Sequence, residues 1–427
     1  MILTGWQHRR RLLQIVAVLL AGLLFGCREP VPERATNTVT VLGGLAREQE
    51  DKLKIALRPF EEQTGIEVQY ESSLNFISLL AERVGAGRSP DIAIFPQPAL
   101  IARYAEAGHL VPLTAFLEEE RLRQTYSDDW LAFGSFEGDA YGLWYLGILK
   151  QLVWYRPSVF EENDYSVPKT WDEMIRLSDR IVAAGETPWC IGLESGEATG
   201  WVGTDWIEGI LMRTAGPDVY RQWAAGELPF SSPPVIRAFD IFGDILREPN
   251  YVQEGTLETV ITPVNTSPLG LFDSPPSCYL HLQGSFISLF FPEDELARQD
   301  YDFFLIPEIE PQFGTPIIVS GDAFAMFNNT PAAQQLMTYM ASAEPHEIWA
   351  KQGGFISPNR QVPLDTYPNS IDRKAARILL EADDIYFDAS DTMPDSVGLR
   401  PFWRGVVNFA IGRSAEEVTQ SIDSERP

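Results

Sequence analysis

Apolar and polar positions change period repeatedly along this chain, and the changes mark out alternating strands and helices. Residues 38–42 form a short apolar run rich in β-branched side chains and read as a strand. Over 49–64, Leu53, Ala56, Leu57 and Phe60 recur at helical spacing until Gly65 stops the pattern. A strand is expected over 66–70, a helix over 76–86, a buried strand over 91–95 and a helix over 98–107, closed by Gly108. Alternation at these lengths predicts a mainly parallel sheet covered on both faces.

After a crossing near 141–155 the pattern resumes. Helices are expected over 171–184, 200–214 and 233–246, and strands over 189–193 and 278–282, the latter leading into a helix over 284–290. Residues 301–306 and 317–319 read as extended, and the chain from 331 onward is largely helical, including 372–382 and 401–411. No short repeat or low-complexity tract interrupts it. The fold class expected is α/β: two lobes with a cleft between them. A hydrophobic content of 45% over 427 residues is ample for two cores.

The first residues follow a different rule. His8-Arg9-Arg10-Arg11 precede an apolar run over 12–24, about a dozen residues and short for a membrane span. The run ends in Leu24-Phe25-Gly26-Cys27, which resembles a bacterial lipobox, with Phe25 bulkier than usual there. Residues 1–26 therefore read as an export signal, Cys27 as the lipid attachment point, and 27–37 as a lipidated tether. An uncleaved N-terminal anchor helix is the other reading. Under both, the remaining chain sits outside the cytoplasm, periplasmic or otherwise extracytoplasmic, and held to the membrane. No second apolar stretch is long enough to cross one.

Cysteine use agrees. With Cys27 lipidated, Cys190 and Cys278 remain in an oxidising compartment, where an even pair suggests a disulfide; two buried thiols are the alternative. Closing a loop of that length restrains the unfolded chain by roughly 4–5 kcal/mol. The formal charge is −27, and the three arginines of the signal would leave with it. Such a surface repels nucleic acid and anionic lipid, so neither is expected as a partner.

Few traces of catalysis are present. The histidines are His8, His109, His281 and His346, and none sits in an H-E-x-x-H helix. In Gly192-Leu193-Glu194-Ser195-Gly196 the serine comes one place late for a nucleophile elbow, and no phosphate-binding loop occurs. Residues 388–392 approach calcium-loop spacing, but Met393 and Leu399 stand where Gly and Glu are needed, so they read as a solvated acidic loop. No metal or cofactor is expected. Paired carboxylates for glycoside hydrolysis are a three-dimensional property, so a secreted carbohydrate hydrolase stays the alternative function.

The chemistry that does stand out is aromatic. Eleven tryptophans lie near polar residues, most densely in 188–206, PWCIGLESGEATGWVGTDW. That stretch offers Glu194, Ser195, Trp201, Asp205 and Trp206 just after an expected strand, where open α/β sheets hold ligands. A sugar needs this combination, since its C–H faces pack on rings while its hydroxyls need fixed polar partners. Each indole is also a candidate for packing its helix onto the lobe.

At these residues the chain resembles the family-1 extracellular solute-binding proteins, the maltose-binding-protein group, and within it the branch serving α-glucoside importers. The passages that carry the resemblance are SPDIAIF (89–95), LVWYRPSVFEENDYSVPKTWDEM (152–174), PWCIGLESGEATGW (188–201), GGFISPNR (353–360) and RPFWRGVVNFAIG (400–412). The resemblance implies a two-lobe periplasmic-binding fold of type II, each lobe a mixed sheet flanked by helices. The first lobe would hold 38–148 and 320–352, the second 149–319 and 353–427. It implies hinge closure on a small carbohydrate, an α-glucoside such as maltose, trehalose, sucrose or glucosylglycerol, with delivery to the permease subunits of an ABC importer and no catalysis. It also implies ligand roles for Glu48, Gln97, Trp144, Lys150, Gln283 with Gly284, Asp322, Gly354, Phe355 and Trp403. The family often supplies a stacking aromatic near Gln283, and this chain has none there.

Overall fold

Among the described residues, eleven strands build two main sheets and a small hairpin in the computed structural model. It describes residues 37–45, 47–292, 299–393 and 397–425. The expected signal, the lipid-bearing Cys27 and all but the last residue of the tether lie outside the described residues.

The first sheet gathers β1 (Thr38–Gly43), β2 (Glu67–Ser72) and β3 (Ile92–Phe95) beside segments from much later in the chain. β1 and β3 run parallel, and the Asp91 carboxylate ties them by accepting from the Thr40 backbone N–H at 2.9 Å and its hydroxyl at 2.8 Å. The helix Arg47–Thr64 between β1 and β2 buries the expected face, Leu53, Ala56, Leu57 and Phe60. β4 (Ser135–Phe136) and β5 (Asp139–Ala140) form the hairpin. β6 (Leu143–Leu149) then enters the first sheet and passes through Lys150 and Gln151 into β7 (Leu152–Tyr155) of the second.

The second sheet places β7 between β8 (His281–Gln283) and β9 (Asp302–Leu305), all antiparallel. From it the chain returns along β10 (Ile317–Met326), ten residues that run antiparallel to β6 on one side. On the other side β10 pairs first with β11 (Ile385–Phe387), in parallel, and then with β3, antiparallel. The expectation of a mainly parallel sheet is therefore corrected: the first sheet is mixed and the second antiparallel. Re-entering from the opposite body, β10 runs against β3 and β6, a long-range fact that local alternation does not encode.

Other differences are local. Residues 189–193 form only isolated bridges, from Trp189 to Val252 and to Leu280. The helix expected to end at 214 continues as Trp201–Ala224, broken at Gly216 (φ 85°, ψ 170°) just before Pro217. The 284–290 turn is 3₁₀ rather than α. Cys190 and Cys278 are disulfide-bonded, with Cα atoms 5.5 Å apart.

Two hydrophobic clusters fill the bodies. The first joins the large sheet to Trp130, Trp144, Trp349 and Phe355, and the second gathers Trp189, Trp206, Phe242, Phe402 and Phe409. Buried side chains between Phe355 and Phe387 belong to the first cluster, and those from Ala389 onward to the second.

The crossing at Gln151 is tightly held. Gln151 is buried with φ +66°, and its amide donates to the Asp205 carbonyl at 2.6 Å. Gly209 makes room for it, since a methyl group there would collide with the Gln151 side chain.

Candidate functional site

Several backbone ends converge where the two bodies meet. β6 carries Ile148 one residue before its end at Leu149 and leads to Lys150, and β10 sets Ser320 directly opposite Ile148. β11 runs out into Asp388, Ser390 and Asp391. The helix Trp201–Ala224 presents Trp201 at its first turn, the helix Pro98–Glu106 has Gln97 as its N-cap, and Trp403 opens the helix Trp403–Ala410. With Ala198 and Phe286, these residues enclose a cavity of about 190 Å³.

One ammonium organises its floor. Lys150 Nζ reaches Asp205 at 2.9 and 3.0 Å and Asp388 at 2.9 Å, and it lies 4.9 Å from the centre of the Trp201 ring. Burial alone would lower the Lys150 pKa, but the carboxylates of Asp205, Asp388 and Asp391 outweigh it and hold it above its ordinary value. Burial would likewise raise Asp388, yet Lys150 and the Ser390 hydroxyl, donating at 2.7 Å, bring it down to about 2. Asp391 has the opposite fate, pushed well up by burial and by the charge of Asp388.

The 388–391 segment is pinned from beneath. Glu208, fully buried in the long helix, accepts from the backbone N–H groups of Ala389 at 2.7 Å and Ser390 at 3.0 Å, and from the Tyr220 hydroxyl at 2.6 Å. The solvated acidic loop expected here is therefore corrected to a buried, hydrogen-bonded wall. No group of three or more His, Cys, Asp or Glu side chains suited to a metal occurs among the described residues.

Two cavity residues carry polar atoms with unmet demands. Gln97 is 8% exposed and Trp403 5%, and neither Gln97 Oε1 nor Trp403 Nε1 has a hydrogen-bond partner in the protein. One is an acceptor and the other a donor, and Gln97 also bonds the Asp391 side chain. Leaving such buried groups unsatisfied costs about 1–3 kcal/mol each.

Of the residues singled out from sequence, Gln97, Lys150, Trp201 and Trp403 line the cavity, and Asp205 stands behind it through Lys150. Three aromatics are corrected to core positions. Trp144 packs between Trp130 and Phe387, Trp206 stacks on Phe242 against Trp189, and Phe355 stacks on Trp349. Glu48 is exposed at the start of its helix. Ser195 is half-buried, as is Glu194, whose carboxylate accepts from the Gly196 N–H. Gln283 is buried, with its side-chain carbonyl accepting from the Gly284 N–H. Asp322 is buried with the Tyr145 hydroxyl 3.5 Å away, and burial pushes it up to about 7. Gly354, at φ +66°, donates its N–H to Asp372 and is covered by Leu289. None of these seven residues lines the cavity. The residues not anticipated are Ile148, Ala198, Phe286, Ser320, Asp388, Ser390 and Asp391; the one available signal was an acidic run directly after a short apolar segment, Ile385–Phe387.

Known proteins give this geometry a context. Residues 45–347 match the bacterial extracellular solute-binding proteins. The chain is 48% identical over 389 residues to the osmoprotective compounds-binding protein GgtB of Synechocystis, covering 91% of this chain and 92% of that one. It is 38% identical over 394 residues to the alpha-glucosides-binding periplasmic protein AglE of Rhizobium meliloti, covering 90% and 86%. Among solved structures, the bacterial solute receptor AcbH superposes with a TM-score of 0.78 at 18% identity, covering 91% and 98%. Maltose-bound MalE3 of T. maritima superposes at 0.71 with 17% identity, covering 91% and 98%. These structural likenesses establish the two-lobe fold.

Proposed function

The chain belongs to the bacterial extracellular solute-binding proteins, and from that premise we propose that it is the lipid-anchored receptor of an ABC importer for a small α-glucoside. It is a solute receptor acting outside the cytoplasm, not an enzyme. The observation that carries the ligand class is the composition of the cavity wall. Trp201, Phe286 and Trp403 supply apolar faces, while Asp388, Asp391, Ser320, Ser390, Gln97 Oε1 and Trp403 Nε1 supply polar partners. A sugar hydroxyl both donates and accepts, so it can satisfy the last two at once. At about 190 Å³ the space lies below the roughly 300–1,000 Å³ of drug-sized sites and suits one glucosyl ring with a small aglycone.

The lobes proposed are 38–148 with 320–387 and 149–319 with 389–425, a division supported by the pairing of β11 with β10 in the first sheet. Gln97 comes from the first, and Trp201, Asp391 and Trp403 from the second. A ligand touching both favours the closed state by the difference in its affinity for the two states. Cys27 is the proposed lipid site, with residues 1–26 removed.

Calorimetric titration of the purified protein with maltose, sucrose, trehalose and glucosylglycerol tests the reading. One-to-one saturable binding with the sugar recovered unaltered is expected. Heats indistinguishable from dilution for all four would sink the α-glucoside assignment, and release of free hexose would favour the hydrolase. Mass spectrometry of the mature N-terminus tests Cys27.

A further inference from the structure

Charges around the cavity are unevenly matched. The helix Trp201–Ala224 contributes Asp205 and, behind it, Glu208, and the segment after β11 contributes Asp388 and Asp391. Against these acids the described lining residues hold one cation, Lys150, already committed at 2.9 Å to both Asp205 and Asp388. The other polar groups facing them are neutral: Gln97, Ser320, Ser390, and Tyr220 on Glu208. A separate observation bears on the ligand. Gln97 Oε1, buried and unpartnered, asks it for a donor, and Trp403 Nε1, equally buried, asks it for an acceptor, a combination that a neutral hydroxyl, or an amine beside a hydroxyl, supplies.

We infer that the cavity sorts its ligands by charge, taking neutral glycosides and those bearing an ammonium group while rejecting those bearing a carboxylate or phosphate. The inference rests on the sugar reading above and narrows it. An anionic substituent would lose its water beside Asp388 and Asp391 with no uncommitted cation among the lining residues. An ammonium group would find Gln97 Oε1 and Asp391 as acceptors. Burial and the neighbouring Asp388 charge raise the Asp391 pKa, and an ammonium beside it would draw it back down.

Four probes titrated calorimetrically into the full protein at pH 7 test this: methyl α-D-glucopyranoside, its 2-amino-2-deoxy counterpart, its uronate and its uronamide. The uronate and uronamide are nearly identical in shape and differ by one charge. The uronate is expected to bind at least ~100-fold more weakly than the uronamide. The amine should match or exceed the parent. Asp391→Asn should remove an acceptor for the ammonium and weaken the amine at least ~10-fold relative to the parent. Equal binding of uronate and uronamide, or an amine more than ~10-fold weaker than the parent, overturns charge sorting and leaves the sugar reading standing. If bulk at C6 excludes both the uronate and the uronamide, the amine comparison alone decides. Binding of neither the parent nor any of the four glucosides named earlier overturns the sugar reading, and this inference falls with it.

Discussion

The Lys150 ammonium stands 4.9 Å from the centre of the Trp201 ring, so the cation that neutralises the cavity floor also seats one of its walls. That ammonium is a packing element and an electrostatic one together, because Asp205 and Asp388 are both buried around it.

Lys150→Met should therefore be severe. Deleting one partner of a buried ionic group typically costs about 3–5 kcal/mol, since the remaining charges stay desolvated. Urea unfolding is expected to show a loss of that order, and adding Asp205→Asn should recover part of it. A Lys150→Met protein as stable as the native one would contradict the network.

The two indoles at either end of one helical turn and a half should separate function from stability. Trp201→Ala is expected to weaken sugar binding at least ~10-fold with a small change in unfolding midpoint, because Trp201 is half-buried at the cavity. Trp206→Ala should cost about 3–5 kcal/mol through its cavity in the second core. Equal effects of the two on both measurements would refute the assignment.

Gly200 and Gly196 both have positive φ, 111° and 59°. A methyl group on Gly200 would strike the Trp403 carbonyl, whereas nothing lies within 4 Å of one on Gly196. Each alanine variant bears backbone strain, of order 1 kcal/mol. Gly200→Ala should additionally displace Trp403 and weaken binding, read as a change in dissociation constant beside an unaffected Gly196→Ala.

Stability should depend on pH in two opposed ways. Burial holds His281 and His346 at about 4, below their unfolded value of 6.5, so the unfolded chain binds protons first and stability falls as pH drops from 6.5 through 4. Asp322 behaves inversely. Its folded value of about 7 lies above the ordinary 3.8 of the unfolded chain, so its contribution is complete below 3.8 and is lost as pH rises through 7. Asp322→Asn is expected to melt higher than the native protein at pH 8 and close to it at pH 4. A constant offset at every pH would rule out titration of Asp322.

Removing the Cys190–Cys278 bond with a double serine replacement should lower stability by about 2–5 kcal/mol while leaving the fold intact, since the bond closes an 88-residue span. Circular dichroism and urea unfolding check both halves of that statement.

Much of the secondary structure was legible because each amphipathic helix advertises its own buried face. The helix Trp171–Ala183, begun by Thr170 accepting from the Glu173 N–H, is an example. Strand direction was less legible, since β10 pairs with segments from both ends of the chain. Among site residues, Trp201 and Trp206 have the same chemistry and lie five positions apart, yet one faces the cavity and the other the core. Aromatic identity says that a ring will be covered; only packing says by what.

The order of apolar and polar residues was enough to indicate an α/β chain with two cores and a receptor's aromatic and polar repertoire, and to suggest that Cys190 and Cys278 pair. Which acids line the cleft was decided by tertiary structure alone. Asp388 and Asp391 become site residues because β11 docks beside β10 and Glu208 catches the backbone that follows. A carboxylate's role depends on what desolvates it and which cation it meets, and here Lys150 and Asp388 meet from positions 238 residues apart.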